Sequence, residues 1–98
     1  MSDPFSHGIA RCDKDSAGGV IFSLKQDFVR LDGVLVAVVG DGVADHPPHL
    51  PNAMAEGCSW FRINGIPVCR EGHRALCGHG ATGAGWARII ETPQDSPF

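Results

Sequence analysis

The pattern of hydrophobic and polar residues repeats along this chain after 32 residues, so that position 29 aligns with position 61. Residues 29–40 (Val-Arg-Leu-Asp-Gly-Val-Leu-Val-Ala-Val-Val-Gly) align with residues 61–72 (Phe-Arg-Ile-Asn-Gly-Ile-Pro-Val-Cys-Arg-Glu-Gly). The arginine, the aliphatic residue after it, the Asx-Gly pair and the final glycine are all kept. Residues 86–89 (Trp-Ala-Arg-Ile) repeat residues 60–63 (Trp-Phe-Arg-Ile). This spacing indicates an internal repeat, so the chain carries three related strand signals.

Two of these signals contain a hairpin turn. Asp32-Gly33 and Asn64-Gly65 lie between apolar arms. Such pairs favour a two-residue turn, because both of its central residues need a positive φ. Residues 34–39 form an unbroken apolar run, which is typical of a strand buried on both faces. A helix over residues 20–31 is the alternative, but the matching segment at residues 60–63 is too short for a stable helix. The repeat therefore favours strands.

Composition limits the class of protein. The 98 residues suit one small core, and the 13 glycines and seven prolines exclude a helical bundle. Eight basic residues against 11 acidic ones give a net charge of −3, so no basic surface favours nucleic acid. The sequence contains neither a membrane-spanning run nor a signal-peptide pattern. We expect one domain over residues 1–90 and a short polar tail over residues 91–98.

The candidate chemistry lies in cysteine and histidine. Four cysteines in a chain that we expect to fold in the cytosol are thiols or metal ligands rather than disulfides. No CxxC pair is present, so the spacing is not that of a zinc finger. The candidate ligands are spread along the chain: His7, His46, His49, Cys69, His73, Cys77 and His79. A metal ion bound among them would tie distant loops together, which stabilises a small core.

Superposition of the repeats narrows this set of ligands. It gives His7 and Cys77 equivalent positions after a strand. We expect the loops to converge at one end of a three-sided body, where His73 and one histidine of residues 46–49 (His-Pro-Pro-His) complete the site. Three imidazoles and one thiolate suit a tetrahedral zinc ion, with iron as the alternative.

The aromatic-x-Arg-aliphatic elements at residues 28–31, 60–63 and 86–89 allow two interpretations. The first is that they are core aromatics beside surface arginines whose stems pack on the core. The alternative is that three related strand edges give the chain a threefold outline, which fits the end of a trimer.

These residues resemble the Pro-Ala-Ala-Arg (PAAR) repeat family over most of the chain. Residues 3–8 (Asp-Pro-Phe-Ser-His-Gly) are similar to the family's opening Asp-Pro-x-Ser-His-Gly. Residues 67–70 (Pro-Val-Cys-Arg) stand at its name-giving motif, after the family-like residues 61–65 (Phe-Arg-Ile-Asn-Gly). The first repeat departs further, with Leu-Val-Ala-Val at residues 35–38. The resemblance implies a small conical all-β structure of pseudo-threefold repeated hairpins, with loops that converge on a metal site at the tip.

The resemblance also implies a ligand set and a role. Family members bind zinc near the vertex through three histidines and one cysteine. That pattern carries over to His7, His49, His73 and Cys77, with His46 and His79 as alternatives. The implied role is a membrane-piercing tip that caps the trimeric β-helical spike of a type VI secretion system or contractile phage tail, one copy per trimer. The apparatus would export the tip from the cytoplasm, or a phage virion would incorporate it.

Two other functions are alternatives. A small zinc-stabilised adaptor module would bind another protein without capping a trimer. A metallohydrolase would need an open position on its metal, which four protein ligands exclude. We therefore expect a structural protein rather than an enzyme, with any effector cargo bound separately.

Overall fold

The computed structural model describes residues 6–90, and the regular elements in this part of the chain are all β-strands. The strands are short, and their bounds are β1 (Ser6–Gly8), β2 (Ser16–Ala17), β3 (Gly19–Phe22), β4 (Arg30–Leu31), β5 (Val34–Leu35), β6 (Gly42–Val43), β7 (Asn52–Ala53), β8 (Cys58–Ile63), β9 (Ile66–Val68) and β10 (Arg88–Ile90). The all-β prediction is confirmed. The tail expected at residues 91–98 lies outside the described residues.

Helices play no part in the described structure. The segment over residues 20–31, for which a helix was the alternative, holds β3, a loop and β4. Residues 6–90 accordingly contain no helix with the length and apolar character to cross a membrane.

The strands form one four-stranded sheet and three two-stranded pairs. The larger sheet has the order β2-β3-β6-β7 with antiparallel neighbours. The pairs are β4-β5, β8-β9 and β1-β10, all antiparallel. The first two pairs are the hairpins expected from the Asx-Gly turns, and the third joins the two ends of the described chain.

Both predicted turns have the expected backbone conformation. In the β4-β5 turn, φ is 56° at Asp32 and 84° at Gly33, and in the β8-β9 turn it is 54° at Asn64 and 78° at Gly65. Positive φ at both central residues is the property for which Asx-Gly pairs are selected. These turns set the register of the two hairpins.

The three pairs are equivalent in detail. One strand of each pair, which is β4, β8 or β10, contains an arginine whose guanidinium donates a hydrogen bond to a backbone carbonyl at the same place in the pair. The distances are 3.2 Å for Arg30, 3.1 Å for Arg62 and 2.7 Å for Arg88. The pair β1-β10 therefore completes the repeat that the echo at residues 86–89 predicted.

A ring of backbone hydrogen bonds joins the three units. The chain that follows the other strand of each pair, which is β1, β5 or β9, has a central residue, which is Ala10, Ala37 or Cys69. The N–H of Ala37 donates to the carbonyl of Ala10 (3.0 Å). The N–H of Ala10 donates to the carbonyl of Cys69 (3.1 Å), and the N–H of Cys69 donates to that of Ala37 (2.9 Å). We call this closed cycle the central ring, and it defines a pseudo-threefold axis.

The residues beside the central ring repeat the same cycle. Antiparallel bridges link the neighbours of the three ring residues in the pairs Arg11 with Val36, Val38 with Val68, and Arg70 with Ile9. Residues 36–38 thus bond to two different segments of the ring. For this reason the apolar strand expected over residues 34–39 is a regular ladder only as far as Leu35.

The central ring separates two hydrophobic cores, because alternate residues of an extended chain face opposite sides. On one side, which we call the hairpin side, the buried residues are Val36, Val38, Cys58, Ile63, Val68 and Ile89. On the other, the loop side, they are Ala10, Cys12, Ala17, Ile21, Ala37, Val43, Met54, Cys69, Ala75 and Ala81. The described chain measures 34 × 29 × 28 Å.

A side chain caps each segment of the ring as the chain leaves it. The backbone N–H one residue after each ring residue donates to a side chain that folds back on it. The acceptors are Asp15 Oδ2 (2.9 Å), Asp41 Oδ2 (2.8 Å) and His73 Nδ1 (3.1 Å). All three of these side chains are buried. The backbone N–H that follows each ring residue thus finds its acceptor in a carboxylate in two units and in an imidazole in the third.

Asp41 connects the ring to the loop before β4. Its Oδ1 accepts hydrogen bonds from the backbone N–H groups of Leu24 (2.8 Å) and Lys25 (3.1 Å). Its Oδ2 accepts hydrogen bonds from the backbone N–H of Val38 (2.8 Å) and from the thiol of Cys12 (3.5 Å). No surface of Asp41 is exposed to solvent.

We expect Asp41→Ala to lower the free energy of unfolding by about 3–5 kcal/mol. The buried donors on Val38 and Cys12 lose their acceptor at about 1–3 kcal/mol each, and two partly buried N–H groups lose theirs as well. Urea unfolding followed by circular dichroism measures this loss. Asp27→Ala is the matched control, since Asp27 is an exposed carboxylate, and it should change stability by less than about 0.5 kcal/mol. Equal stability of the two variants would contradict the role assigned to Asp41.

Candidate metal centre

Three histidines and one cysteine come together on the loop side of the central ring. One ligand atom from each of His46, His49, Cys77 and His79 lies within 4.8 Å of all the others. The three imidazole rings pack with centroids 4.9–5.1 Å apart. Cys77 also packs against the loop-side core. We call these four residues the His/Cys group, which could bind a metal ion.

A tight turn between β6 and β7 positions two of the histidines. The backbone N–H of His46 donates to the carbonyl of His49 (3.0 Å), and the N–H of His49 donates to that of His46 (2.6 Å). The Pro47-Pro48 peptide bond inside this turn is cis. Residues opposite each other in an antiparallel pair place their side chains on one face, so the two imidazoles are neighbours.

A second turn supplies the cysteine and the third histidine. Cys77 and His79 flank Gly78, which has a φ of 95°. The N–H of Ala75 donates to the carbonyl of His79 (3.0 Å) and closes the turn. The N–H of Cys77 donates to Asn52 Oδ1 on β7 (3.3 Å), which fixes this turn against the strand that carries the first one.

The distances within the His/Cys group fit a tetrahedral metal site. His46 Nε2 lies 3.0 Å from His79 Nδ1 and 3.3 Å from His49 Nδ1. Cys77 Sγ lies 3.6 Å from His46 Nε2 and 3.4 Å from His79 Nδ1. Ordinary zinc bond lengths give tetrahedral edges of about 3.3 Å between nitrogens and about 3.6 Å from nitrogen to sulfur. The donor set and its spacing therefore suit zinc.

A hydrogen bond outside the group orients one of its ligands. His46 Nδ1 lies 2.9 Å from the carbonyl oxygen of Ala44. A carbonyl can only accept, so Nδ1 carries the proton and donates it. The lone pair of His46 is consequently on Nε2, the atom that faces the other ligands, as metal-binding histidines require.

Gly18 covers the His/Cys group from the turn between β2 and β3. Its φ is 87°, and a Cβ atom there would lie 2.5 Å from both His46 Nε2 and His79 Nδ1. Only glycine fits this close approach. Gly18 was not among the candidate residues from the sequence, although the adjacent glycines at positions 18 and 19 mark the turn.

The structure brings together His49 and Cys77 from the predicted ligand set, with His46 and His79, the two alternatives. It places His7 on β1, opposite Ile89. In the repeat, this strand position corresponds to Val34 and Ile66, so the superposition that set His7 level with Cys77 is not the one that the structure shows.

His73 also lies outside the His/Cys group. It is buried, and its Nδ1 accepts the backbone N–H of Arg70. Its position in the repeat is that of Asp41, whose carboxylate caps the equivalent N–H. The imidazole of His73 thus takes the place of a capping carboxylate in the central ring.

Cysteines other than Cys77 are buried in the two cores, and none of the four forms a disulfide. Burial, together with the charge of Asp41, raises the pKa of the Cys12 thiol, and the same causes raise that of Cys69 to about 12. Both are therefore protonated at neutral pH. Because the thiolate is the metal ligand, Cys69, a candidate from the sequence, is a structural thiol that donates to the carbonyl of Glu56 (3.3 Å).

A family model described as the PAAR motif matches residues 12–82. The chain belongs to the PAAR family. The match includes the whole His/Cys group and two of the three ring residues of this PAAR chain, while His7 lies before it. No curated protein matches the sequence.

We expect Gly18→Ala to weaken metal binding at least tenfold, because the new methyl group would displace His46 and His79. Competition with a chromogenic zinc chelator measures the affinity. Gly65→Ala is the matched control: it introduces the same unfavourable positive φ, but nothing lies within 4 Å of its Cβ, so metal affinity should not change. Equal affinities in the two variants would contradict the covering role of Gly18.

Proposed function

We propose that this PAAR chain is the tip that caps the trimeric β-helical spike of a type VI secretion system or a contractile phage tail. Membership of the PAAR family, a family of structural spike-tip proteins, supports the proposal. The observation that carries it is the central ring. A single chain with three equivalent sides can match the end of a threefold-symmetric partner, so one copy binds each trimer.

The two sides of the central ring have different roles in this proposal. The three strand pairs lie on the hairpin side, which faces the spike. The loops lie on the loop side, where the His/Cys group forms the point that enters the target membrane. The protein is made in the cytoplasm and leaves it on the apparatus, or is built into a phage virion.

The His/Cys group holds the metal, which is zinc, with iron as the alternative. Four protein donors fill a tetrahedral coordination sphere and leave no position for a reactive water. The site is therefore structural and the protein is not an enzyme. The metal cross-links the turn between β6 and β7 to the turn at residues 75–80, which stiffens loops that have a core of mostly small side chains.

Metal analysis of ligand variants tests the assignment of the site. We expect one equivalent of zinc or iron by elemental mass spectrometry, and its loss from His46→Ala, His49→Ala, Cys77→Ala and His79→Ala. His7→Ala is the control and should keep the metal, because His7 lies on β1. Loss of metal from His7→Ala together with its retention in His79→Ala would replace this ligand set.

Native mass spectrometry with a trimeric spike tests the role. We expect the chain to form a complex with the β-helical spike protein encoded in the same gene cluster, at one copy per three spike chains. A complex with one copy per single spike chain would favour the zinc-stabilised adaptor instead. Absence of any complex would remove the tip function.

A further inference from the structure

Three large aromatic side chains are exposed at equivalent positions of the three units. Phe28, Trp60 and Trp86 each precede by two residues the arginine that bonds its own strand pair. Their exposed fractions are 58%, 54% and 64%. The interpretation of these residues as core aromatics is therefore wrong.

The hairpin-side core is filled by their neighbours instead. Val29 and Phe61, the residues that follow Phe28 and Trp60, pack against that core. The exposed fractions show that the aromatic residue before each of them lies at the surface. The ring of Trp60 stacks on that of Phe61, with centroids 5.9 Å apart and planes at 19°, which holds it in place.

The repetition is what distinguishes these aromatics from ordinary exposed apolar residues. Single exposed apolar side chains are normal on soluble proteins. Here the same type of side chain is exposed at one position in all three units, around the axis that the central ring defines. Leu50 and Leu76, which are also exposed, lie in the loops of the other side and serve below as controls.

We propose that Phe28, Trp60 and Trp86 form a three-point docking surface on which each chain of a homotrimer receives one aromatic ring in the same apolar pocket. This rests on the proposed function, in which the partner is a trimeric spike. Three equivalent side chains around one axis match three identical pockets around a threefold axis, and a monomer or a twofold dimer does not offer these. Aromatic side chains are among the residues that dominate binding at interfaces.

The arginines beside the three aromatics indicate which charge the partner's pocket should carry. Arg30, Arg62 and Arg88 are exposed, and each is held by a hydrogen bond to the backbone of its own strand pair, two residues from an aromatic. Arg88 also lies 3.8 Å from the Glu71 carboxylate. In a chain with a net charge of −3, the guanidinium groups of Arg30 and Arg62 put positive charge beside two of the docking points, while Arg88 shares its charge with Glu71. The pocket of each partner chain should therefore have an acidic rim.

Tryptophan fluorescence tests the proposal directly, because both tryptophans of the chain belong to this surface. On addition of the trimeric spike protein from the same gene cluster, we expect the emission to shift to shorter wavelength and acrylamide quenching to fall. Unchanged quenching in a complex with one chain per trimer would overturn the docking surface.

Affinities of variants give the second measurement, by isothermal titration calorimetry against the same trimer. We expect each of Phe28→Ser, Trp60→Ser and Trp86→Ser to raise Kd by about 5–30-fold, and the triple variant by at least about 100-fold. Leu50→Ser/Leu76→Ser is the matched control and should leave Kd unchanged. Retained metal content and circular dichroism verify that each variant is folded.

The outcomes separate this proposal from the one on which it rests. A wild-type chain that does not bind the trimer overturns both. A wild-type chain that binds at one per trimer, with a triple variant that binds equally well, overturns the docking surface alone. A fluorescence shift as the chain alone is concentrated, or on addition of phosphatidylglycerol vesicles, with none on addition of the trimer, overturns it in favour of self-association or lipid.

Discussion

Three backbone hydrogen bonds, one from each unit to the next, hold this structure together. Each joins residues far apart in sequence, and the residues concerned, Ala10, Ala37 and Cys69, have no exposed surface. Small side chains at these positions let three chain segments approach one axis. Because every unit crosses the ring once, the strand pairs must collect on one side and the loops on the other. The separation of the strand pairs from the His/Cys group follows from that crossing.

Capping the ring has consequences for the chemistry of the chain. Each segment leaves one backbone N–H that needs an acceptor, and buried donors without acceptors are costly. Asp15 and Asp41 supply carboxylates, whereas the third unit uses His73. The Nδ1 atom of His73 therefore serves as a cap of the central ring. The His/Cys group instead lies on two turns, which are held by hydrogen bonds within each turn and by one to Asn52 on β7. The histidines among the candidate metal ligands of this group and the histidine that caps the central ring are therefore different residues.

Local signals in the sequence predicted the parts of the structure that depend on local conformation. The Asx-Gly pairs gave the two hairpins, because positive φ is a property of those residues themselves. The echo at residues 86–89 gave the third strand pair. The central ring was not predictable, since its bonds join segments from all three units, and residues 36–38 therefore read as an ordinary buried strand. The membership of the His/Cys group was only partly predicted for a related reason. The loops beyond the ring differ in length, so a repeat superposition extended past the ring no longer relates equivalent positions. His46 and His79 were in the candidate set, but nothing local distinguishes them from His73.

The pair formed by β1 and β10 makes the connectivity of this fold circular. Ile89 lies opposite His7 as Leu31 lies opposite Val34, so Ile90 and Ser6 stand where the hairpins have Asp32 and Gly33. Joining Ile90 to Ser6 after replacing them with Asn and Gly would close a third hairpin, and the chain could then be opened at Asp32-Gly33 or Asn64-Gly65. The native chain and both circular permutants would keep the same set of long-range bonds. The structure therefore does not depend on the order in which the three units follow one another along the chain. The ends of the chain can lie at any of the three turns.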